Sequence, residues 1–230
     1  YNGLSAKKTV EGLNGRYFGE DGNPIRRRIA RDDFGTNPCS EIILRSREFC
    51  NLSECVVRRD DTREHLKEKV RVATILGTFQ STLTEFKYLS KEWKRNCEEE
   101  RLLGVSLTGI MDNPLTNGSK KGLDKLLEEL RDVAYETNKE WAEKLGIPPS
   151  AAITCVKPSG TVSQLVDSAS GIHARHNPFY IRTVRADNKD PLCNLMKEMG
   201  FPNEPDVTKP DHTTVFSFPM RSPKDAVFRM

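Results

Sequence analysis

The chain has 230 residues and a net charge of +3 at pH 7, and 36% of its residues are hydrophobic, which is enough for a sizeable core. No apolar run reaches about 18 residues, and the first residues mix charge with Gly and Asn, so neither a membrane span nor a signal peptide is expected. No basic stripe carries interleaved aromatic residues, which argues against direct nucleic-acid binding.

The six cysteines are widely and irregularly spaced, and no two of them form a C-x-x-C pair. A secreted disulfide framework is therefore disfavoured. A structural zinc site is disfavoured too, because no two close Cys/His pairs stand at ligand spacing, and no metal site is predicted. Reduced thiols and a cytoplasmic location are the expectation.

The predicted elements alternate between short apolar runs and longer amphipathic ones. The chain begins at Tyr1 in a Gly- and Asn-rich stretch, which fits either a flexible terminus or a cut through a longer polypeptide. Strands are predicted at 41–46, 54–59, 102–111, 151–156, 180–186 and 213–220, and helices at 62–86, 91–101, 122–146, 161–167 and 191–200. This order predicts an α/β fold with parallel strands, and since no linker is evident we expect one domain.

Two helix boundaries carry specific signals. Thr62 or Asp61 can cap the start of the 62–86 helix with a side-chain oxygen. Gly146, followed by Pro148 and Pro149, predicts a sharp end to the 122–146 helix. These signals are local, so they do not depend on the rest of the fold.

The stretch "TNPCSEIILRSREFCNL" places Asn37, Cys39 and Glu41 at every second residue, with Cys50 eleven residues after Cys39. In an extended segment such residues face the same side, although Pro38 suits a loop tip or a strand edge better than a central strand. A carboxylate can take a proton from a hydroxyl, an amide can orient hydroxyls, and a thiol can act as a nucleophile or a one-electron relay. An ordinary turn with a buried Cys remains an alternative.

The stretch "ITCVKPSGTVSQLVD" joins a predicted strand to a predicted helix through a turn of small residues. A helix start of this kind presents free N–H groups at the positive end of the helix dipole, which suits a phosphate. The turn is not a Walker loop, because no Gly-Lys-Ser/Thr ends it. A capped helix start without a ligand stays open as the alternative.

The motifs "NPCSEI", "FCNL", "RLLGVSLTGIMD", "KPSGTVSQL", "SGIHARH" and "YIRTVR" occur in this order between about Thr36 and Pro191. Together they resemble the catalytic subunit of ribonucleotide reductases, and most closely the adenosylcobalamin-dependent class II enzymes. The eleven-residue interval between Cys39 and Cys50 carries the class II resemblance, since the class I enzymes have a longer insertion there. A fragment of a class I large subunit is the alternative within the family.

The resemblance implies part of the ten-stranded α/β barrel of ribonucleotide reductases, with a central finger loop at about 36–41. On this interpretation residues 1–230 form the C-terminal half of the catalytic barrel. The N-terminal half would come from a separate chain or a missing segment. Further implied partners are a ribonucleotide substrate and a thioredoxin-like reductant, and adenosylcobalamin is the implied cofactor.

The resemblance also implies roles for the site residues. Cys39 would carry a transient thiyl radical inside a dry enclosure and abstract the ribose 3′ hydrogen. Glu41 would act as base on the 3′ hydroxyl, and Asn37 would hold the ribose hydroxyls. Cys50 would be one of two thiols that supply electrons as the 2′ hydroxyl leaves as water. The substrate phosphates would meet Ser159, Gly160 and Thr161.

Two other functions remain open at this stage. One is an inactive relative that binds nucleotides, which the intact set of Asn37, Cys39, Glu41 and Cys50 argues against. The other is a thiol hydrolase with Cys39 as nucleophile, which would need a positioned His base. The remaining cysteines are poor candidates for the partner thiol of Cys50. Cys55 would face away from the barrel and Cys97 lies in a charged helix, while Cys155 and Cys193 are predicted to be packed structural residues.

Overall fold

The computed structural model describes residues 28, 33–224 and 226–228, so the Gly- and Asn-rich start of the chain lies outside the described residues. The chain divides into two compact units, Tyr1–His173 and Ala174–Met230, although no linker marks this boundary in the sequence. Within the described ranges, no helix combines the length and the apolar character needed to cross a bilayer.

In its described part, the first unit mixes strands and helices, with three strands before the first helix and one strand between two pairs of helices. Its elements are β1 (Phe34–Thr36), β2 (Ile43–Arg45), β3 (Asn51–Val56), α1 (Arg63–Gln80), α2 (Lys91–Glu100), β4 (Leu103–Thr108), α3 (Leu123–Leu145) and α4 (Thr161–Leu165). A single 3₁₀ turn, Ile110–Asp112, follows β4.

Helix α1 begins at the position that the capping side chain predicts, but it ends before the position that the apolar pattern predicts. Thr62 is the N-cap, and its hydroxyl accepts a hydrogen bond from His65 N at 3.2 Å. The helix ends at Gln80, six residues before the predicted end. Ser81 Oγ donates to Thr78 O and Thr82 Oγ donates to Phe79 O, both at 2.7 Å, so these hydroxyls satisfy carbonyls that a longer helix would have used.

The end of α3 confirms the glycine signal. Gly146 is the C-cap and has a φ of 65°, a left-handed conformation that glycine adopts without a Cβ penalty. Its N–H bonds Ala142 O and Glu143 O, which closes the last turn.

The β3–β4 sheet of this unit is parallel and is packed against helices on one face. The β1–β2 pair is antiparallel, so the expectation of parallel strands is wrong for that pair. Strands β3 and β4 pair in parallel, with Leu52 opposite Gly104 and Glu54 opposite Ser106. The predicted strand 151–156 forms only an isolated parallel bridge, Val105–Thr154, on the other side of β4. The apolar core between the sheet and helices α1 and α3 comprises Cys55, Val57, Leu66, Val70, Ala73, Leu103, Val105, Leu126, Leu130, Ala134 and Ile153.

Because side chains alternate along a strand, the other face of this sheet carries a different set of residues. There β3 presents Leu52 and Glu54, and β4 presents Gly104 and Ser106. Cys50 directly precedes β3, and its sulfur lies on this side, since a Cβ at Gly104 would stand 3.3 Å from it. We call this surface the polar face of the sheet; it is where the candidate site lies.

The second unit has an antiparallel sheet, so the expectation of parallel strands is wrong there. Its elements are β5 (Phe179–Asp187), α5 (Pro191–Glu198), β6 (Asn203–Pro205) and β7 (Thr213–Arg221). The strand order is β5-β7-β6, and Asp187 at the end of β5 pairs with Thr213 at the start of β7. The chain therefore re-enters the sheet at the end where it left, which gives antiparallel pairing.

Candidate active site

The residues of the Asn-Cys-Glu segment lie at the tip of the β1–β2 hairpin. The strands pair from Phe34–Arg45 to Thr36–Ile43, which leaves a hairpin loop at 37–42. Asn37 closes this loop, because its Oδ1 accepts from Ile42 N at 3.1 Å and its N donates to Ile42 O at 3.3 Å. The loop-tip interpretation suggested by Pro38 therefore holds, and the alternative of one continuous extended segment does not.

The loop turns back on itself between its two ends. Ser40 has a φ of 61°, in the left-handed region, and its N–H donates to Asn37 O at 2.9 Å. Cys39 is exposed at the tip, whereas Asn37 and Glu41 are half-buried. The described part of this chain thus does not form the dry enclosure expected around the Cys39 sulfur. The expectation that Cys39 is enclosed is therefore wrong for the described residues of this chain.

A buried charge cluster fixes the base of the hairpin. Arg45 N donates to Glu48 Oε2 at 2.8 Å, and the Arg45 guanidinium lies 3.3 Å from a carboxylate oxygen of Glu100 at the end of α2. The Glu48 side chain is fully buried. Burial first, and then the negative charge of Glu100, raise the pKa of Glu48 to about 8. The segment between Cys39 and Cys50 is therefore anchored to α2 by charged groups.

Cys50, which directly precedes β3, lies beside a second thiol. A Cβ at Gly104 would stand 3.3 Å from Cys50 Sγ and 3.2 Å from Cys155 Sγ, so the two sulfurs flank one point above β4. Burial raises the pKa of Cys50, and the charges of Cys155, Glu48 and Glu41 raise it further. Cys50 is therefore a protonated thiol at neutral pH.

Cys155 belongs to the same group of side chains. Burial, followed by the negative charge of Glu41, raises the pKa of Cys155 to about 12. The structure thus brings Glu41, Cys50 and Cys155 together. Cys155 was expected to be a packed structural residue. The sequence does not predict that Cys155 lies beside Cys50. The two sulfurs meet above Gly104, which belongs to a third segment of the chain, and the spacing of the cysteines carries no sign of this.

Gly104 allows this close approach, and its replacement tests it. In Gly104→Ala the new Cβ would clash with Leu52 Cδ2 and press on both sulfurs. We expect a loss of about 1–3 kcal/mol in the free energy of unfolding, the usual cost of overpacking a filled site. Urea denaturation of the protein measures it. Gly35→Ala is the matched control, since no atom lies within 4 Å of the added Cβ. Equal stability of the two variants would contradict this description of the thiol pair.

The predicted phosphate turn divides into buried and exposed parts. Ser159 is fully buried, and its Oγ has no hydrogen-bond partner within the described ranges. Its carbonyl accepts from the hydroxyls of Ser163, at 2.9 Å, and Ser170. Gly160 and Thr161 are exposed at the start of α4. A ligand can therefore reach the turn at Gly160 and Thr161, while Ser159 shapes it from inside.

The remaining cysteines have local packing partners or are buried. Cys55 Sγ lies 3.6 Å from Lys69 O, and burial raises the pKa of this thiol to about 12. Cys97 Sγ accepts from Phe49 N at 3.3 Å, and Cys193 is buried in the second unit. Among the described residues, no group of three His, Cys, Asp or Glu side chains is arranged to hold a metal ion.

Known proteins similar to this chain include several curated enzymes of one type, while no protein-family model matches it. It is 30% identical over 220 residues to the adenosylcobalamin-dependent ribonucleoside-triphosphate reductase of Lactobacillus acidophilus, covering 84% of this chain and 29% of that protein. The enzymes of the same name from Euglena gracilis and Lacticaseibacillus paracasei are both 31% identical, over 81% and 82% of this chain. The chain spans 25% of the Euglena protein and 28% of the Lacticaseibacillus protein.

A solved structure has the same fold. The crystal structure of a B12-dependent, class II ribonucleotide reductase superposes with a TM-score of 0.72 at 24% identity, covering 98% of this chain and 36% of that one. The predicted fold, part of the α/β barrel of ribonucleotide reductases, is therefore confirmed. Over about four fifths of its length, the chain is therefore similar to adenosylcobalamin-dependent ribonucleoside-triphosphate reductases, and it has the fold of the matching part of a class II enzyme.

Proposed function

We propose that the protein carrying this chain reduces ribonucleotides to deoxyribonucleotides by a thiyl-radical mechanism that depends on adenosylcobalamin. The observation that carries the proposal is the hairpin tip, which presents the exposed Cys39 thiol between an amide and a carboxylate, together with the half-buried thiol of Cys50, whose pKa the charge of Glu41 helps to raise. This set occurs in a chain homologous to ribonucleoside-triphosphate reductases. A ribonucleoside triphosphate is accordingly the proposed substrate.

The exposed position of Cys39 fits the cofactor. A thiol at the tip of a hairpin is accessible to a group as bulky as adenosylcobalamin, and no neighbouring side chain of the described part buries it. When bound, the cofactor supplies a deoxyadenosyl radical, while the protein contributes position and exclusion of solvent. Cys39 would give its hydrogen to that radical, and its sulfur would then take the 3′ hydrogen of the ribose.

Glu41 is suited to act as the base. Its Oε2 is buried and has no hydrogen-bond partner among the described residues, so the atom is free to receive a proton from the 3′ hydroxyl. Asn37, held in place by its bonds to Ile42, orients the ribose hydroxyls. The bonds between Asn37 and Ile42 join the two ends of the hairpin loop, and Glu41 directly precedes Ile42 in that loop.

Cys50 is the proposed source of reducing equivalents. Its raised pKa keeps a proton on the sulfur at neutral pH, so the group can deliver hydrogen as well as an electron. In the balanced reaction two thiols give two electrons and two protons, the 2′ hydroxyl leaves as water, and the thiols join as a disulfide. The second thiol of this pair is proposed to lie outside this chain, in the N-terminal half of the barrel.

The substrate phosphates are proposed to bind the turn at Ser159, Gly160 and Thr161. The exposure of Gly160 and Thr161 supports this, and main-chain N–H groups at the start of a helix favour anions. Supply of the N-terminal half by another chain or segment, reduction of the disulfide by a thioredoxin-like protein, and a cytoplasmic location complete the proposal.

The test is cofactor-dependent turnover. The chain is combined with the polypeptide that supplies the rest of the barrel, and deoxynucleotide formation from a ribonucleoside triphosphate is followed with a dithiol reductant. We expect turnover only when adenosylcobalamin is added. Turnover without cobalamin but with an iron-containing radical subunit would instead favour a class I enzyme. Tight nucleotide binding without turnover under both conditions would favour an inactive relative.

A further inference from the structure

The polar face of the sheet carries a buried ion pair whose partners lie far apart in the sequence. Lys157 Nζ donates to Glu54 Oε2 at 2.7 Å. The two side chains keep only 20% and 9% of their exposure, respectively. Loss of one partner would leave the other as an uncompensated, largely buried charge, so the pair holds its two segments firmly together.

Lys157 makes a second hydrogen bond, through its main chain. Lys157 N donates to Ser106 Oγ at 2.8 Å, and Ser106 is buried on β4. The residue is thus bonded to β4 through its backbone and to β3 through its side chain. Pro158, whose ring restricts the backbone, follows directly and leads into the turn at Ser159.

These bonds connect the two parts of the proposed site. Glu54 lies on β3, the strand that begins one residue after Cys50. Lys157 lies two residues after Cys155 and immediately before the Pro158–Thr161 turn. A shift of Lys157 relative to Glu54 would therefore move the phosphate turn relative to the thiol that reduces the sugar.

We infer that Glu54 and Lys157 are positioning residues, whose ion pair sets the distance between the phosphate-binding turn and the reducing thiol Cys50. This inference rests on the proposed function. Neither residue needs to touch the substrate. Because small displacements of reacting groups are costly to rate, the pair acts mainly on turnover and less on nucleotide affinity.

Steady-state kinetics of the assembled reductase test this role with four variants. Glu54→Gln and Lys157→Met each break the pair, and the exchanged variant Glu54→Lys/Lys157→Glu rebuilds it with the charges reversed. Lys67→Met is the matched control, because it breaks the exposed Lys67–Glu129 pair on the surface. We expect kcat to fall about tenfold in both single variants, with KM for the ribonucleoside triphosphate changing less than about threefold.

The exchanged variant is expected to recover part of kcat, and the control to match the unmodified protein. A direct contact between Lys157 and the substrate phosphate would overturn the inference, and it would change KM in opposite directions in the two single variants. In that case Lys157→Met raises KM, while Glu54→Gln lowers KM by releasing the ammonium group. Unchanged kcat in both single variants would also overturn it.

Hydrogen exchange of the chain separates failure of this inference from failure of the proposed function. Peptides covering residues 157–163 are expected to exchange faster in Glu54→Gln and Lys157→Met than in Lys67→Met, with α3 unaffected. Unchanged exchange at 157–163 overturns the positioning role whatever the enzyme does. Absence of reductase activity in the unmodified protein, with faster exchange in the two variants, overturns only the proposed function.

Discussion

Replacing Cys39 by serine in the assembled reductase is expected to lower ribonucleotide reduction by about a thousandfold or more, the scale on which loss of a group that forms the reactive intermediate reduces turnover. A serine hydroxyl holds its hydrogen too strongly to form the oxygen counterpart of the thiyl radical. The side chain is exposed at the tip of the hairpin loop, so the exchange of sulfur for oxygen leaves the fold undisturbed. Deoxynucleotide formation under saturating adenosylcobalamin measures the effect.

Nucleotide binding is the companion measurement for this variant. Isothermal titration of Cys39→Ser with the ribonucleoside triphosphate is expected to give the affinity of the unmodified protein, since the proposed phosphate contacts lie elsewhere. Cys193→Ala is the control for loss of a thiol as such, because Cys193 is buried in the second unit. Appreciable reduction by Cys39→Ser, with Cys193→Ala fully active, would refute the role given to Cys39.

The second large effect concerns stability and pH, and it comes from Glu48. Arg28, Arg45 and Glu100 face this buried carboxyl, and burial with the charge of Glu100 raises its pKa to about 8 from an ordinary 4.5. The folded protein therefore keeps a proton that the unfolded chain releases above pH 4.5. Stability from this group is fully present below pH 4.5 and is lost as the pH rises toward 8, at up to about 1.4 kcal/mol per pH unit for one proton.

Glu48→Gln removes this proton linkage while keeping a side chain of the same shape. The amide oxygen can still accept from Arg45 N, as Glu48 Oε2 does. We expect the variant to gain stability relative to the unmodified protein as the pH rises from 5 to 8, measured by urea denaturation at intervals of one pH unit. Glu136→Gln, at an exposed position on α3, is the control. Parallel pH profiles for Glu48→Gln and the unmodified protein would contradict the assignment.

The helices of this chain could be predicted from sequence because their limits are set by neighbouring residues. Thr62 caps α1 through an atom three residues from its partner, and Gly146 ends α3 by its own conformation. The end of α1 at Gln80 was not predicted, and its cause is also local. The apolar pattern continues past Gln80, but the hydroxyls of Ser81 and Thr82 take the last carbonyls.

The strand lengths of the sheet and the arrangement of the thiols depend on contacts between residues that are distant in sequence, so the sequence pattern predicted them less well. Cys155 lies beside Cys50 because Gly104, on the strand between them, has no side chain. The strand predicted at 151–156 is reduced to a bridge, since pairing with β4 and not local composition decides its length. The family resemblance suggested roles for the residues of the hairpin tip. The hydrogen bonds between Asn37 and Ile42 that close the loop have no signal in the sequence pattern.

The bond between Asn37 and Ile42 also has a direction, and this constrains how a sugar can approach. Asn37 Oδ1 already accepts from Ile42 N, so the amide meets a ligand chiefly through its N–H group. A hydroxyl that receives such a bond is held by its oxygen lone pair and keeps its own hydrogen free to point toward a carboxylate. In the proposed reaction, closing the loop with the amide oxygen would therefore direct the proton of the sugar hydroxyl toward Glu41.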